Sequence, residues 1–193
     1  MTTSPTKNLT FEEYLTYDDG TDNRYELVDG KLIMVPLPTA DHSDEIDLLI
    51  EVFRAEINQQ KLLWQAKRDV GIYIGKSSNT GRDYSRSPDV CILLSEDWAT
   101  LKAEKGAAVL RTVPLMVVEV VSTNRKDDYV DKVEEYQGLG IPEYWIVDGR
   151  DKLVCVLLLD DGRYHKTEFR GSERIRSRVF PTLALTTKQV LSA

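Results

Sequence analysis

The sequence is poor in the residues that soft-metal and acyl-transfer sites depend on. It holds two histidines, His42 and His165, and two cysteines, Cys91 and Cys155, in 193 residues. No Cys-x-x-Cys or mixed Cys/His ligand spacing occurs, which argues against a zinc site. Each cysteine lies inside an apolar run, the usual setting of a small buried hydrophobe. A Gly-x-Ser-x-Gly elbow, a P-loop glycine pattern and a His-Glu-x-x-His pair are all missing. Serine–histidine hydrolysis would therefore rest on one of only two histidines. Long apolar runs are missing too. The longest, such as Val117–Val121 and Val154–Leu159, fall far short of the roughly 20 residues a membrane span needs. Met1 to Thr10 lacks the charged-then-apolar pattern of a secretion signal. No membrane partner and a cytoplasmic, reduced setting are the expectation. Positive charge is also short: 25 Lys and Arg stand against 32 Asp and Glu, a net of −7. That argues against a nonspecific cationic coat for nucleic acid, but leaves room for a local basic groove.

What is present is an ordinary globular mixture, 41% hydrophobic and 30% charged, of a length that suits one domain. Residues 1–8 are polar and expected to be loose, and residues 9–193 are expected to form a single domain. Thr10 and Glu13 make a capping box for a short first helix. Asp29-Gly30, between Arg24–Val28 and Lys31–Val35, is a strong hairpin signal. Ile46, Leu49, Ile50, Phe53 and Ile57 form one helical stripe, predicting a helix over residues 43–60 with Ser43 as its N-cap. Three strand-like runs follow: Trp64–Ile74, Asp89–Leu94 and Leu115–Val121. A polar loop is expected between the first two, from Gly75 to Ser87, and a short helix within 96–108. Residues 127–139 read as a helix stopped by Gly138 and Gly140, with Tyr144–Val147 a strand beyond it. Asp160-Asp161-Gly162 marks a second hairpin, and 182–193 a last short helix. The order predicts a mixed α/β fold: one mixed sheet flanked by helices, with added hairpins at both ends.

Three residues carry the chemical signal. Glu119 interrupts an apolar run that should be covered on both faces, where a carboxylate is costly to desolvate unless a cation or metal meets it. Asp89 opens a strand directly after Pro88. Lys132 lies on the flank of its helix's apolar stripe rather than on the acidic face of Asp128, Asp131, Glu134 and Glu135. The bland readings are a salt bridge for Glu119, a turn residue for Asp89 and a snorkelling lysine for Lys132. Taken together, two carboxylates, a lysine and no ligand cysteines suit a hard divalent ion such as Mg²⁺. Such an ion and a nearby cation serve phosphodiester hydrolysis.

The segments Arg24–Gly30, Ser87-Pro88-Asp89-Val90, Val118–Ser122, Asp128–Lys132–Tyr136 and Gly140–Asp148 occur in order. In that combination the chain resembles the Uma-type restriction endonuclease family, within the PD-(D/E)XK nuclease superfamily, over roughly residues 9–190. The resemblance implies a restriction-endonuclease-like core of helix, three strands, helix and strand. It implies a Mg²⁺- or Mn²⁺-dependent DNA endonuclease with Asp89 and Glu119 as metal ligands, and a homodimer. The superfamily pattern wants lysine two positions after Glu119, where this chain has Val121. The family resemblance moves that lysine to the next helix, onto Lys132. Glu26, within the N-terminal signature, is a fourth site candidate, against a solvent-facing residue or a partner of Arg24. His42 reads as a loop or capping residue or a phosphate contact, and Ser122 as a water-orienting residue. Tyr144 and Trp145 read as core.

Lys67, Arg68, Arg82, Arg86, Arg125 and Lys126 lie near strand ends and are candidates to face a backbone phosphate. Arg174, Arg176 and Arg178 alternate on one face of an extended segment, as a solvated edge or a DNA-contact stripe. Residues 1–60 carry 13 acids and 4 bases, and residues 61–193 carry 19 and 21. The acidity is thus concentrated away from Asp89 and Glu119. The missing lysine at position 121 and the net charge motivate the alternative: a nuclease fold without activity that binds DNA or protein.

Overall fold

Two sheets and five α-helices organise the chain in a computed structural model, which describes residues 8–21, 23–104, 106–122 and 124–193. Most of the loose terminus expected over residues 1–8 lies outside the described residues. Helix α1, Phe11–Leu15, starts with the expected capping box: the Thr10 side chain accepts from Glu13 N, and Glu13 caps the Thr10 amide. Strands β1, Tyr25–Val28, and β2, Lys31–Met34, pair in register around Asp29 and Gly30. Both turn residues have left-handed φ angles, 51° and 74°, as a tight hairpin turn requires.

Helix α2, Ala40–Gln59, buries the expected stripe but begins earlier than Ser43. Thr39 is the N-cap and accepts from His42 N, while Ser43 N donates to the Thr39 carbonyl. The difference puts His42 in the helix's first turn. The run expected as one strand from Trp64 to Ile74 divides into β3, Trp64–Lys67, and β4, Gly71–Lys76. Asp69, at φ 60°, turns the chain between them, and the two strands enter different sheets. The expected loop at Gly75–Ser87 contains strand β5, Asp83–Arg86. Its buried side chains are Asp83, Ser85 and Arg86, so no apolar alternation advertises it.

The remaining elements are β6 (Val90–Leu94), α3 (Ser95–Glu104), β7 (Val109–Leu110), β8 (Met116–Val120), α4 (Lys132–Leu139), β9 (Glu143–Asp148), β10 (Leu153–Asp160), β11 (Arg163–Arg170) and α5 (Thr187–Val190). The larger sheet has six strands in the order β11-β10-β9-β8-β6-β3. Strands β8 and β9 run parallel, and the rest of this sheet is antiparallel. The C-terminal hairpin extends that sheet. The N-terminal hairpin instead joins a second, five-stranded sheet, β2-β1-β5-β4-β7. The expected core order holds, while the single sheet becomes two because Asp69 and the polar strand β5 send the chain out of the first.

Helix α2 covers one face of the six-stranded sheet. Phe53 stacks on Phe180 at 5.1 Å and meets Trp145 edge-on at 5.6 Å. The other face packs Cys91, Val117, Tyr144 and Ile146 against Tyr136 of α4 and against Ile72 and Leu110 of the second sheet. Cover on both faces explains why β6, β8 and β9 are almost wholly buried. Tyr144 and Trp145 are fully buried, as expected for core residues, and both cysteines are buried thiols. Among the described residues, no helix is long and apolar enough to cross a membrane.

Candidate active site

Antiparallel pairing sets Val90 of β6 opposite Val118 of β8, so one further step brings Asp89 beside Glu119. Asp89 Oδ2 accepts from the Val120 amide at 2.7 Å. His42 reaches over from the first turn of α2. Its Nε2 lies 3.0 Å from the Val120 carbonyl and 3.4 Å from Asp89 Oδ2. Burial pulls the imidazole pKa down, but the Asp89 carboxylate and the Val120 carbonyl raise it on balance above the ordinary histidine value. His42 Nδ1 is buried without a hydrogen-bond partner among the described residues. Asp89 Oδ1 likewise receives no hydrogen bond there.

Glu119 is 2% exposed. Tyr136 donates to its Oε1 at 2.6 Å, and the Lys132 ammonium lies 2.9 Å from Oε2. Burial holds its carboxyl well above the usual carboxylate range, with Lys132 opposing the shift. Tyr136 and Lys132 thus engage both of its oxygens, one by a hydrogen bond and one by an ion pair. Lys132 also lies 3.0 Å from Asp128 Oδ1 and 3.8 Å from Asp127 Oδ2. Burial acts to lower its pKa, but Glu119, Asp128, Glu26 and Asp127 together hold it well above the usual lysine value. Lys132 therefore stays an ammonium at any working pH.

The helix expected over residues 127–139 opens as a π-helical turn, Asp127–Asp131, before α4. The helical pattern places Asp128 on the acidic face. The wider π turn carries it inward instead, where it is buried and bonds Lys132. Such turns recur at functional sites. Glu26 is neither solvent-facing nor a partner of Arg24, which pairs with Asp69. It is buried, accepting from the Ser87 amide at 2.9 Å and from Arg86 at 3.0 Å. Arg86 also holds Glu135 through two hydrogen bonds, at 2.7 and 2.9 Å, and Asp127 at 3.2 Å. A guanidinium so occupied is unavailable to a phosphate.

The structure thus gathers Asp89, Glu119 and Lys132, with Glu26 joined to them through Arg86 and Asp127. Ser122 sits exposed beyond β8. Arg174 and Arg178 donate to the carbonyls of Leu183 and Leu159. Sequence reasoning missed the Arg86 hub, Glu135, Asp127 and the Tyr136 hydroxyl, and underrated His42. The i, i+4 spacing of Asp128 and Lys132 could have shown that Asp128 turns inward with the lysine, but it does not point to the Arg86 hub.

In kind, the donor set fits a hard divalent cation: carboxylate oxygens, with Lys132 and Arg86 facing Glu26, Asp89, Glu119, Asp127, Asp128 and Glu135. Its number is small. No three His, Cys, Asp or Glu among the described residues cluster as ligands. An ion held by Asp89 and Glu119 would keep several waters, as Mg²⁺ commonly does.

Glu45 lies one turn after His42, with an oxygen close to the Gly149 backbone. Burial, opposed by His42 and reinforced by Asp41 and Asp148, raises its carboxyl to about 7. A raised acid favours the fold when protonated, so this contribution is full below about pH 4.5 and is lost as pH rises through 7. Glu45→Gln should therefore raise the melting temperature above pH 7 by about 2–4 °C, the half-exposed position limiting the gain to ~1 kcal/mol. Near pH 4 it should change little. Melting curves across that range check this.

A parallel β8–β9 pair, two antiparallel neighbours, covering helices on both faces and an acidic pair at the strand ends define a restriction-endonuclease-like nuclease domain. The Uma2 family, described as "Putative restriction endonuclease", matches residues 11–188, and the chain belongs to it. Among solved structures, it is similar to "a putative nuclease belonging to DUF820 from Anabaena variabilis ATCC 29413". That match has a TM-score of 0.74 at 19% identity, over 95% of this chain and 98% of the other. No curated protein matches it. Family and fold together support a nuclease function, and restriction-endonuclease-like families generally use divalent metals.

Proposed function

We propose that the protein is a metal-dependent DNA endonuclease that hydrolyses phosphodiester bonds, with Asp89 and Glu119 holding Mg²⁺ or Mn²⁺. The observation that carries the reading is the meeting of Glu119 and Lys132 at 2.9 Å beside Asp89, on the ends of adjacent strands. When bound, the ion supplies Lewis acidity and a water of lowered pKa. The chain's own residues set the geometry. The Val120 amide and His42 orient Asp89. Tyr136 and Lys132 fix Glu119. Lys132, permanently cationic, acts through charge on the developing phosphorane rather than as a base. Glu26 assists by anchoring Arg86, which holds the π turn. Two copies, one for each strand, would cut a duplex.

Plasmid incubated with EDTA, Mg²⁺ or Mn²⁺ should be nicked or linearised only with metal. Asp89→Ala should lose that activity and melt within a few degrees of wild type, having lost about one hydrogen bond's worth of stability, ~1 kcal/mol. Cleavage that survives in Asp89→Ala would sink the site. The occupied oxygens of Glu119 favour a second reading, a nuclease fold retired to binding. Metal titration without turnover by either protein would support that reading.

A further inference from the structure

Of the six basic residues near strand ends, five are neutralised by carboxylates. Arg68 pairs with Asp47, Arg82 with Asp29, Arg86 with Glu26, Asp127 and Glu135, Arg125 with Asp148 and Asp151, and Lys126 with Asp131. Lys67 is the exception. Its ammonium sits over the Trp98 ring, 4.5 Å from the centroid, and Lys102 approaches the same ring at 5.9 Å. Arg54 reaches the edge from α2 and donates to the Ala66 carbonyl, one residue away. None of Arg54, Lys67 and Lys102 pairs with a carboxylate among the described residues. Burial and the charges of Arg54 and Lys102 push the Lys67 ammonium pKa down, the mark of cations gathered without a counter-ion. In a chain of net charge −7, leaving three cations together without an acid sets this edge apart.

The strand register places this group relative to the acidic pair. Lys67 of β3 lies opposite Cys91 of β6, and Cys91 lies opposite Val117 of β8. Cross-strand partners share a face, as do residues two apart on a strand. Lys67 and Glu119 therefore rise from the same face of the sheet, and Asp89 stands immediately before β6, at the end of the strand between them. One strand spacing across and two residues along put Lys67 about 8 Å from Asp89 between Cα atoms. A nucleic-acid strand with its scissile phosphate at Asp89 and Glu119 would carry neighbouring phosphates past this edge. Trp98 is clamped under the two ammonium groups and acts as their platform rather than as a stacking surface.

We propose that Lys67 and Lys102, held over Trp98, form a phosphate-binding edge that grips the DNA backbone beside the Asp89–Glu119 centre. The proposal rests on the endonuclease reading for its substrate, yet it is measured by binding rather than by turnover. Lys67→Gln/Lys102→Gln removes both charges and keeps most of each stem on the ring. Lys152→Gln/Lys166→Gln, on the opposite side of the sheet order, makes the same change in net charge as a control. Anisotropy of a labelled DNA duplex, titrated in EDTA between 50 and 200 mM salt, gives Kd and its salt slope for wild type and both variants.

Each lost phosphate contact should flatten the log–log salt slope by about 0.9, so the edge variant should lose close to 2. Its Kd should weaken about tenfold at the lowest salt, and the control should follow wild type. An edge variant with the wild-type slope, or a wild type that binds no duplex, overturns the proposal. Cleavage by wild type reports separately on the endonuclease reading. Binding with the expected slope change but without cleavage would leave the edge standing and favour the retired fold.

Discussion

Lys132→Met is expected to abolish cleavage and to lower the melting temperature by roughly 10 °C. Lys132 is 7% exposed, and its ammonium is shared by Glu119 and Asp128, themselves buried. Methionine fills much of the same volume, so lost packing contributes little. What remains is two carboxylates without their cation, and breaking a buried pair from one side costs about 3–5 kcal/mol. A domain of this size loses about 2–4 °C for each kcal/mol. The deficit depends on pH with a definite sign. Without the ammonium, Glu119 and Asp128 take up protons more readily in the fold than in the unfolded chain. The variant is therefore closest to wild type in acid, and the gap widens as pH rises and the buried carboxylates must ionise.

Stability and chemistry can be separated in the same background. Lys132→Met/Glu119→Gln removes one of the two stranded charges, and Tyr136 still has an amide oxygen to donate to. Calorimetry at pH 8 should show part of the lost stability recovered. Cleavage should stay absent, because neither the second carboxylate nor the ammonium is restored. The loss of rate attributable to Lys132's charge alone is expected at about 10²–10³-fold, typical of removing one preorganised electrostatic group. A Lys132→Met variant that melts and cleaves like wild type would show that Lys132 belongs to neither the buried cluster nor the reaction. Glu119→Ala carries a related penalty, since it empties a buried position beside a buried ammonium. Asp89, half-buried and bonded mainly to the Val120 amide, is the cleaner probe of the site.

The legible parts of the fold were those fixed by apolar burial. The stripe Ile46–Ile57, the two hairpins and the largely apolar, buried strands β6, β8 and β9 each carry a pattern that survives into the structure. Glu119 could be singled out because it violates such a run. The parts that escaped reading are held by polar burial. Strand β5 has a tyrosine and three polar residues, and buries Asp83 against Phe11, Tyr73 and Lys76 rather than against a core. The π turn is invisible to a pattern of 3.6 residues, yet it decides that Asp128 points inward. Asp69 divides two strands through a single left-handed residue, which periodicity over Trp64–Ile74 conceals. Lys132 was found because its helix position conflicted with solvent. Arg86, expected to face a backbone phosphate, is instead enclosed by three acids from other segments, which no local pattern around it announces.

Arg86→Met should be nearly as damaging as Lys132→Met, through the joint between the two sheets. Arg86 is 4% exposed and stands on β5 of the smaller sheet. It binds Glu26 on β1, Asp127 in the π turn and Glu135 on α4, which covers the larger sheet. Removing the guanidinium strands three carboxylates, and a loss of about 3–5 kcal/mol is expected. Arg86→Lys should not rescue it. A guanidinium meets Glu135 through two parallel bonds and still has donors for Glu26 and Asp127, whereas an ammonium is a point charge on a shorter reach. The lysine variant should therefore melt clearly below wild type, though above Arg86→Met. Because Asp127 lies between Arg86 and Lys132, loosening it should also disturb the lysine's hold on Glu119. An activity loss of about tenfold or more is expected even where Arg86→Lys is fully folded. Hydrogen exchange localises the effect: faster exchange in β1, β5 and the π turn, with β8 and β9 still protected. Uniformly faster exchange would mean that Arg86 stabilises the domain as a whole rather than joining its two sheets at the proposed active site.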